Sequence, residues 1–202
     1  MIYKTDDLLD WDSRKRTNLL NKISGYKSAH LLGTKSPEGK SNLATVNTVI
    51  HVGANPFLLA YLSRPLTIER HSYNNILKTG QFSLNQIHTD IIQQAHQCSA
   101  KYPAGVSEFE QVGFEEYYLP DSFAPCVKES RIKILLDLQE IVPVKSNATV
   151  LVIGKVKQFE INHIEPDDQG HIELDKIDTI AISGLDSYYA CQHLHTLPYA
   201  KP

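Results

Sequence analysis

The segment from Ile132 to Val156 constrains the fold more than any other. Ile132 to Val144 alternates Ile134, Leu136 and Leu138 with polar neighbours, and Thr149-Val150-Leu151-Val152-Ile153-Gly154-Lys155-Val156 comes after the turn-like Lys145-Ser146-Asn147. A two-residue period of this length belongs to a strand with two unlike faces. A link this short suits an antiparallel pair, because parallel strands need a long crossover. No strict βαβ alternation surrounds the pair, so a doubly wound parallel sheet is not expected.

Shorter runs repeat the theme. His30-Leu31-Leu32-Gly33-Thr34 and a second strand from Ser41 to Val49 flank Ser36-Pro37-Glu38-Gly39. There Pro fixes one φ and Gly supplies a positive one, so the sequence predicts a β-hairpin. The second strand alternates Leu43, Thr45, Asn47 and Val49 with Ala44, Val46, Thr48 and Ile50. Phe57 to Leu62 is a continuous apolar run that fits a buried strand, Phe82 to Ile87 alternates again, and Ile177 to Ile182 reads as a last short strand. Helices are expected over the first twenty-five residues, with Ser13 as N-cap, an apolar stripe of Leu19, Leu20 and Ile23, and Gly25 as the left-handed stop. Two more are expected from Ser72 to Thr79, stopped by Gly80, and from Ile91 to Ala100. Tyr102 to Glu129 reads as a long loop that shapes substrate access. The pattern as a whole predicts a mainly β (α+β) chain, a closed barrel with helices at its ends.

The 202 residues suffice for one sizeable core, so residues 1–202 are expected to form a single domain with a helical extension over about 1–25. A net charge of −3 carries no basic footprint of a nucleic-acid binder. No apolar run reaches the ~20 residues of a spanning helix, and Met1 to Asp12 has no apolar core of a signal peptide. The expected setting is cytoplasmic, with no membrane and no nucleic-acid partner. Three widely spaced cysteines, Cys98, Cys126 and Cys191, argue against a disulfide framework.

Several motifs fail on inspection. Gly33 to Ser41 resembles a phosphate loop but has one residue too many between its glycines, and the residues after it are β-patterned where a helix is required. The glycine fingerprint of a dinucleotide site is absent. Cys191, His193 and His195 offer three alternate ligands with no fourth indicated, so no metal is expected. No nucleophile elbow marks a hydrolase.

One constellation survives. The strand around Asn42, Ala44, Thr45, Asn47 and Thr48 is small and polar where a core strand would carry Val and Ile. Further on, Ser63, Arg64, Arg70, His71 and Ser72 surround a predicted helix start. Unpaired amides and a positive dipole end suit a phosphate there, with Ser72 as both cap and ligand and Arg64 or Arg70 as bidentate partner.

The order of these pieces resembles the flavin reductase-like FMN-binding proteins, a split β-barrel family that includes flavoredoxin. The shared pieces are the hairpin, the Asn42-x-Ala-Thr-Val-Asn47 strand, the apolar strand ending Ser63-Arg64-Pro65, the Arg70-His-Ser-Tyr-x-Asn-Ile76 helix and the Gly80-x-Phe-Ser-Leu-Asn85 strand. The likeness continues through Ser107 to Glu110, Gly113-Phe114, Ala124 to Ser130 and Val152 to Val156, and covers about residues 20 to 190. It implies Greek-key-like antiparallel strands with a few peripheral helices, and a homodimer with FMN near the subunit interface. It implies that Ala44, Thr45, Val46, Asn47 and Thr48 lie along the flavin ring, and that Ser63 and Arg64 reach the phosphate or ribityl chain. His71 and Ser72 match a His-Thr pair of the family, and Asn75 supports that corner. No residue is nominated as a catalytic acid or base. Chemistry would run through flavin N5, with NADH or NADPH as transient substrate or, alternatively, with a partner protein as electron donor.

Overall fold

The computed structural model describes residues 2–103 and 105–201; Ala104, within the expected long loop, lies outside them. The elements in chain order begin α1 (Ser13–Lys22), β1 (Lys27–Ser28), β2 (His30–Lys35), β3 (Ser41–Val46), β4 (Ile50–Ala54), β5 (Phe57–Ser63), α2 (His71–Thr79) and β6 (Gln81–Gln86). They continue α3 (Ile92–Gln97), α4 (Glu108–Val112), β7 (Glu116–Tyr117), β8 (Cys126–Val127), β9 (Ile132–Val144), β10 (Thr149–Ile161), β11 (Ile180–Ser183) and β12 (Ser187–Ala190).

Among the described residues, seven strands form one antiparallel sheet in the order β3-β2-β6-β9-β10-β5-β4. Its edge strands β3 and β4 are consecutive in sequence. Laid flat, seven strands about 4.8 Å apart would hold the outer edges about 29 Å apart. The link from Val46 to Ile50 reaches at most about 14 Å. The sheet therefore rolls up and brings its two edges near each other without pairing them. Thr48, in the link, clasps the far side by donating to Leu62 O and accepting from Leu62 N–H, both at 3.1 Å.

The interior is filled by Leu32, Leu59, Tyr61, Phe82, Leu84, Leu136, Val150 and Val152, with Ile76 of α2 as a stopper. Tyr61 and Phe82 meet edge to face at 6.0 Å. A second cluster lies outside β2 and β3, where Leu31 and Leu43 pack under α3, α4 and β11 through Ala95, Phe109 and Ile182. β2 is thus buried on both faces. Gly33 shows how closely it is covered: a Cβ there would overlap Pro125 O and Ser83 Oγ. A further sheet, β1-β11-β12, extends the wall.

The long pair β9–β10 and the hairpin turn at Ser36–Gly39 stand as the sequence predicts. Gly39 has φ +86°, and Ser36 N–H bonds Lys40 O at 2.8 Å. Other expectations need correction. The first helix is short, and Asp12, not Ser13, caps it, because Asp12 holds non-helical dihedrals and its side chain accepts from Arg14 N–H and Lys15 N–H. Its stripe is not buried: Leu20 and Ile23 are exposed. The strand expected to run on to Val49 stops at Val46, since the chain must leave one sheet edge to join the other. Ile50–Ala54 is then a strand of its own. Ile177 closes a 3₁₀ turn, and the last strands are β11 and β12. The stretch from Tyr102 to Glu129 holds α4, β7 and β8, and its second half is stapled to the barrel: Gln81 accepts from Ala124 N–H, and Asn85 from Val127 N–H. Cys98 and Cys126 are buried thiols, pushed up by desolvation to about 12 and about 11.

Candidate functional site

β3 is an edge strand, so every second N–H and C=O faces away from β2. Leu43 N–H is one of these and donates to Glu108 Oε2 at 2.9 Å. On the two-residue period the next outward N–H is that of Thr45. From there the covering stops. Ala44, Thr45, Val46, Asn47, Thr48 and Val49 are all half-buried, in contrast to the buried Ser41, Asn42 and Leu43. Beside them is a cleft of about 180 Å³, lined by Thr45, Asn47, Arg64, Ser99, Ile182 and Leu185.

The second half of the constellation lies at the start of α2. Its first intrahelical bond runs from Asn74 N–H to Arg70 O, so the N–H groups of His71, Ser72 and Tyr73 precede the ladder. Arg70 is the N-cap and no side chain caps the helix. Ser72 is therefore not the cap the sequence predicts. It is already helical, and its hydroxyl accepts from Asn42 Nδ2 at 2.9 Å, which fastens the helix start to β3. Two cations stand here without counter-ions among the described residues. The Arg64 side chain is exposed and makes no hydrogen bond, and the Nε of Arg70 is sealed without a partner.

The remaining expected residues divide into engaged and free. Thr45 Oγ1 donates to Ala95 O, and Asn47 Nδ2 to Gly184 O at 2.7 Å, which leaves the Asn47 carbonyl oxygen open. Thr48 is spent on the clasp to Leu62. Ser63 is buried, with its hydroxyl on Arg64 O at 3.3 Å, and Asn75 Nδ2 donates to Thr34 Oγ1 at 3.2 Å. The groups that stay available are Arg64, Arg70, the Asn47 carbonyl, the outward N–H of Thr45 and the bare start of α2. That set is cationic and donor-rich at one end, with a small polar cleft at the other.

The flavin reductase like domain model matches residues 26–180, a span that contains every one of these groups. The chain belongs to the flavin reductase like family. A crystallised split-barrel protein from Shewanella frigidimarina NCIMB 400 is 42% identical over 99% of this chain and 100% of its own, with TM-score 0.95. Nitrilotriacetate monooxygenase component B from Bacillus cereus is 20% identical over 98% of each chain, with TM-score 0.85. Flavoredoxin of Desulfovibrio vulgaris (Miyazaki F) is 17% identical over 87% of this chain and 92% of its own, with TM-score 0.75; at such identities the likeness concerns the fold. A comparison of the sequence with curated proteins finds no match.

Sequence reasoning missed the far wall of the cleft, part of which lies just beyond the flavin reductase like match. Ser99, Ile182 and Leu185 come from segments remote in the chain, and nothing local marks them. It also passed over Glu108 as a site-shaping residue. Burial raises its carboxyl above the ordinary range, against the Leu43 N–H bond and His71, which favour the charged form. A carboxylate at the start of an apolar helix was the available signal, and it reads equally well as a helix-start charge.

Proposed function

We propose that this chain is an FMN-binding flavoprotein of the NAD(P)H-dependent flavin oxidoreductase type. The observation that carries the reading is the line of unpaired donors from Arg70 and the uncapped α2 past Arg64 to the cleft at Thr45 and Asn47. FMN has a dianionic phosphate at one end and a planar ring with a polar edge at the other. The donor set fits that polarity: cations and free helix amides suit the phosphate, and outward main-chain groups of an edge strand suit the ring. Arg64, Ser63, His71 and Ser72 would hold the phosphate and ribityl end, with Asn75 bracing Thr34 beneath them. Ala44, Thr45, Val46, Asn47 and Thr48 would flank the ring.

Held there, FMN would supply a hydride-accepting N5 and a route for electrons onward. The chain's own share is to bind and orient, and no side chain is assigned as acid or base. With no glycine fingerprint in the sequence, a nicotinamide nucleotide would come and go as a substrate. A homodimer belongs to the same proposal: β4 is a sheet edge with Ile50, Val52 and the neighbouring Phe57 exposed, where an unpartnered edge is normally blunted by charge. Among the described residues no helix is long and apolar enough to cross a membrane.

An absorbance spectrum before and after adding FMN and removing the excess tests the cofactor. Retained oxidised-flavin bands are expected, and a colourless protein would overturn tight FMN binding. Anaerobic titration with NADH or NADPH then tests the activity. Bleaching of the visible band is expected, and retained flavin that neither nucleotide bleaches would replace this activity with that of a protein-reduced electron carrier.

A further inference from the structure

The two ends of the barrel interior are finished differently. Along β2, His30, Leu32 and Thr34 share the inward face. At the Thr34 end α2 closes the barrel, with Asn75 on Thr34 and Ile76 fully buried. At the His30 end a cleft of about 240 Å³ opens, lined among others by Tyr26, His30, Gln86, Leu174, Ile180 and Cys191. It shares no lining residue with the cleft at Thr45 and Arg64.

His30 is the anomaly in its wall. The residue is only 4% exposed, its Nδ1 is sealed without a partner, and its ring makes no hydrogen bond among the described residues. Buried polar groups are nearly always satisfied. His88 is also buried and its Nδ1 likewise lacks a hydrogen bond, but its Nε2 holds Glu129 O at 3.0 Å, whereas neither nitrogen of His30 is held. Desolvation lowers the His30 pKa to about 4, so the ring is neutral at pH 7 and carries one N–H and one lone pair. Tyr26, Leu174 and Ile180 give the cleft an apolar and aromatic wall, and of its polar lining Thr179 Oγ1 is spent on Gln86 Oε1 at 3.3 Å. Among the described residues no carboxylate lines the cleft, and the one lysine there, Lys27, is committed to Asn21 O at 3.1 Å. A cationic ligand would find no counter-charge there. The volume lies below the roughly 300–1,000 Å³ of drug-sized sites, so a small molecule suits it.

We propose that the open end of the barrel binds a small uncharged ring compound bearing one hydroxyl or carbonyl oxygen, with the ring against Tyr26, Leu174 and Ile180 and the oxygen on the His30 imidazole. Barrel mouths are a recurrent place for such sites, and one polar group suffices to fix orientation. The inference stands apart from the flavin reading, since the two clefts use different residues.

Phenol is the probe, titrated into the full chain with its flavin, while the His30 ring nitrogens are monitored by long-range proton–nitrogen NMR. A saturable shift of a His30 ring nitrogen is expected, with benzene binding at least tenfold more weakly. His30→Phe is expected to erase that preference without changing flavin retention. In the wild-type protein, Cys191 is the one exposed thiol of three, so phenol should slow its labelling by a maleimide several-fold. No shift of His30 at about 10 mM phenol, well above any dissociation constant of practical meaning, would overturn the proposal. So would equal affinity for phenol and benzene, or a ligand-free spectrum in which the ring is already hydrogen-bonded.

Discussion

Strands β6 and β3 both turn polar residues to the outside of the barrel, and the chain treats the two rows in opposite ways. On β6, Gln81, Ser83 and Asn85 are buried and fully engaged. Gln81 Oε1 accepts from Phe123 N–H and Ala124 N–H, Ser83 Oγ donates to Pro125 O, and Asn85 bonds Val127 N–H, Leu31 O and Ser83 Oγ. On β3 and the link beyond it, Ala44 to Thr48 are half-buried, and the Thr45 and Thr48 hydroxyls and Asn47 Nδ2 bond the chain. The outward Thr45 N–H, the Asn47 carbonyl oxygen, the Arg64 side chain and the Arg70 Nε have no partner among the described residues. A polar row that the chain satisfies itself is a staple. A polar row left with open donors is built for something that the chain does not supply. The same contrast separates His88 from His30.

The largest effect should come from breaking the staple. Asn85→Ala leaves Val127 N–H buried without its partner and removes the second bond on Leu31 O, and should cost about 3 kcal/mol in urea unfolding. Flavin retention per folded molecule should not change. A loss below about 0.5 kcal/mol would mean that the row does not hold the loop.

Next comes acid sensitivity at His30. The unfolded chain takes up this proton near pH 6.5 and the folded one only near 4. Between those values the unfolded state binds more protons, so stability is full above 6.5 and falls as the pH drops. By pH 4 the loss reaches up to about 3 kcal/mol. His88, lowered by burial, acts in the same direction. His30→Phe should flatten the decline measured by denaturation at pH 4 to 7, and an unchanged slope would contradict the assignment.

The open row should respond in binding, not in stability. Arg64→Ala with Ser72→Ala should weaken FMN binding by more than tenfold, since charge-assisted bonds are worth ~1.5–3 kcal/mol each. Unfolding free energy should shift by about 1 kcal/mol or less, from the Asn42 bond. Unaltered flavin retention would place the phosphate elsewhere. The smallest effect expected is that of Thr48→Val, which removes the clasp to Leu62. It should cost about 1 kcal/mol, read by urea unfolding, and separates a barrel fastener from a cofactor ligand: FMN affinity should hold unless the ring depends on that link.

Much of this was legible along the chain. The β9–β10 pair and the Ser36–Gly39 hairpin are set by alternation and turn chemistry between near neighbours, which local sequence encodes directly. The order of motifs identifies the family, and Arg64 with the start of α2 could be located as an anion-seeking corner. Where local reading failed, the reason was a partner distant in sequence. Ser72 reads as a cap until Asn42 claims its hydroxyl. Ser83 and Asn85 alternate with apolar residues along their strand, and nothing local shows that residues 123–127 cover them and Gln81. Ser99, Ile182 and Leu185 meet Thr45 only because the sheet rolls. The sequence alone determined which segments are strands and which corner is cationic, because those properties depend on period and charge. Only the tertiary structure decided which polar groups are spent and which remain free, because satisfaction of a hydrogen bond depends on what a rolled sheet brings within about 3 Å.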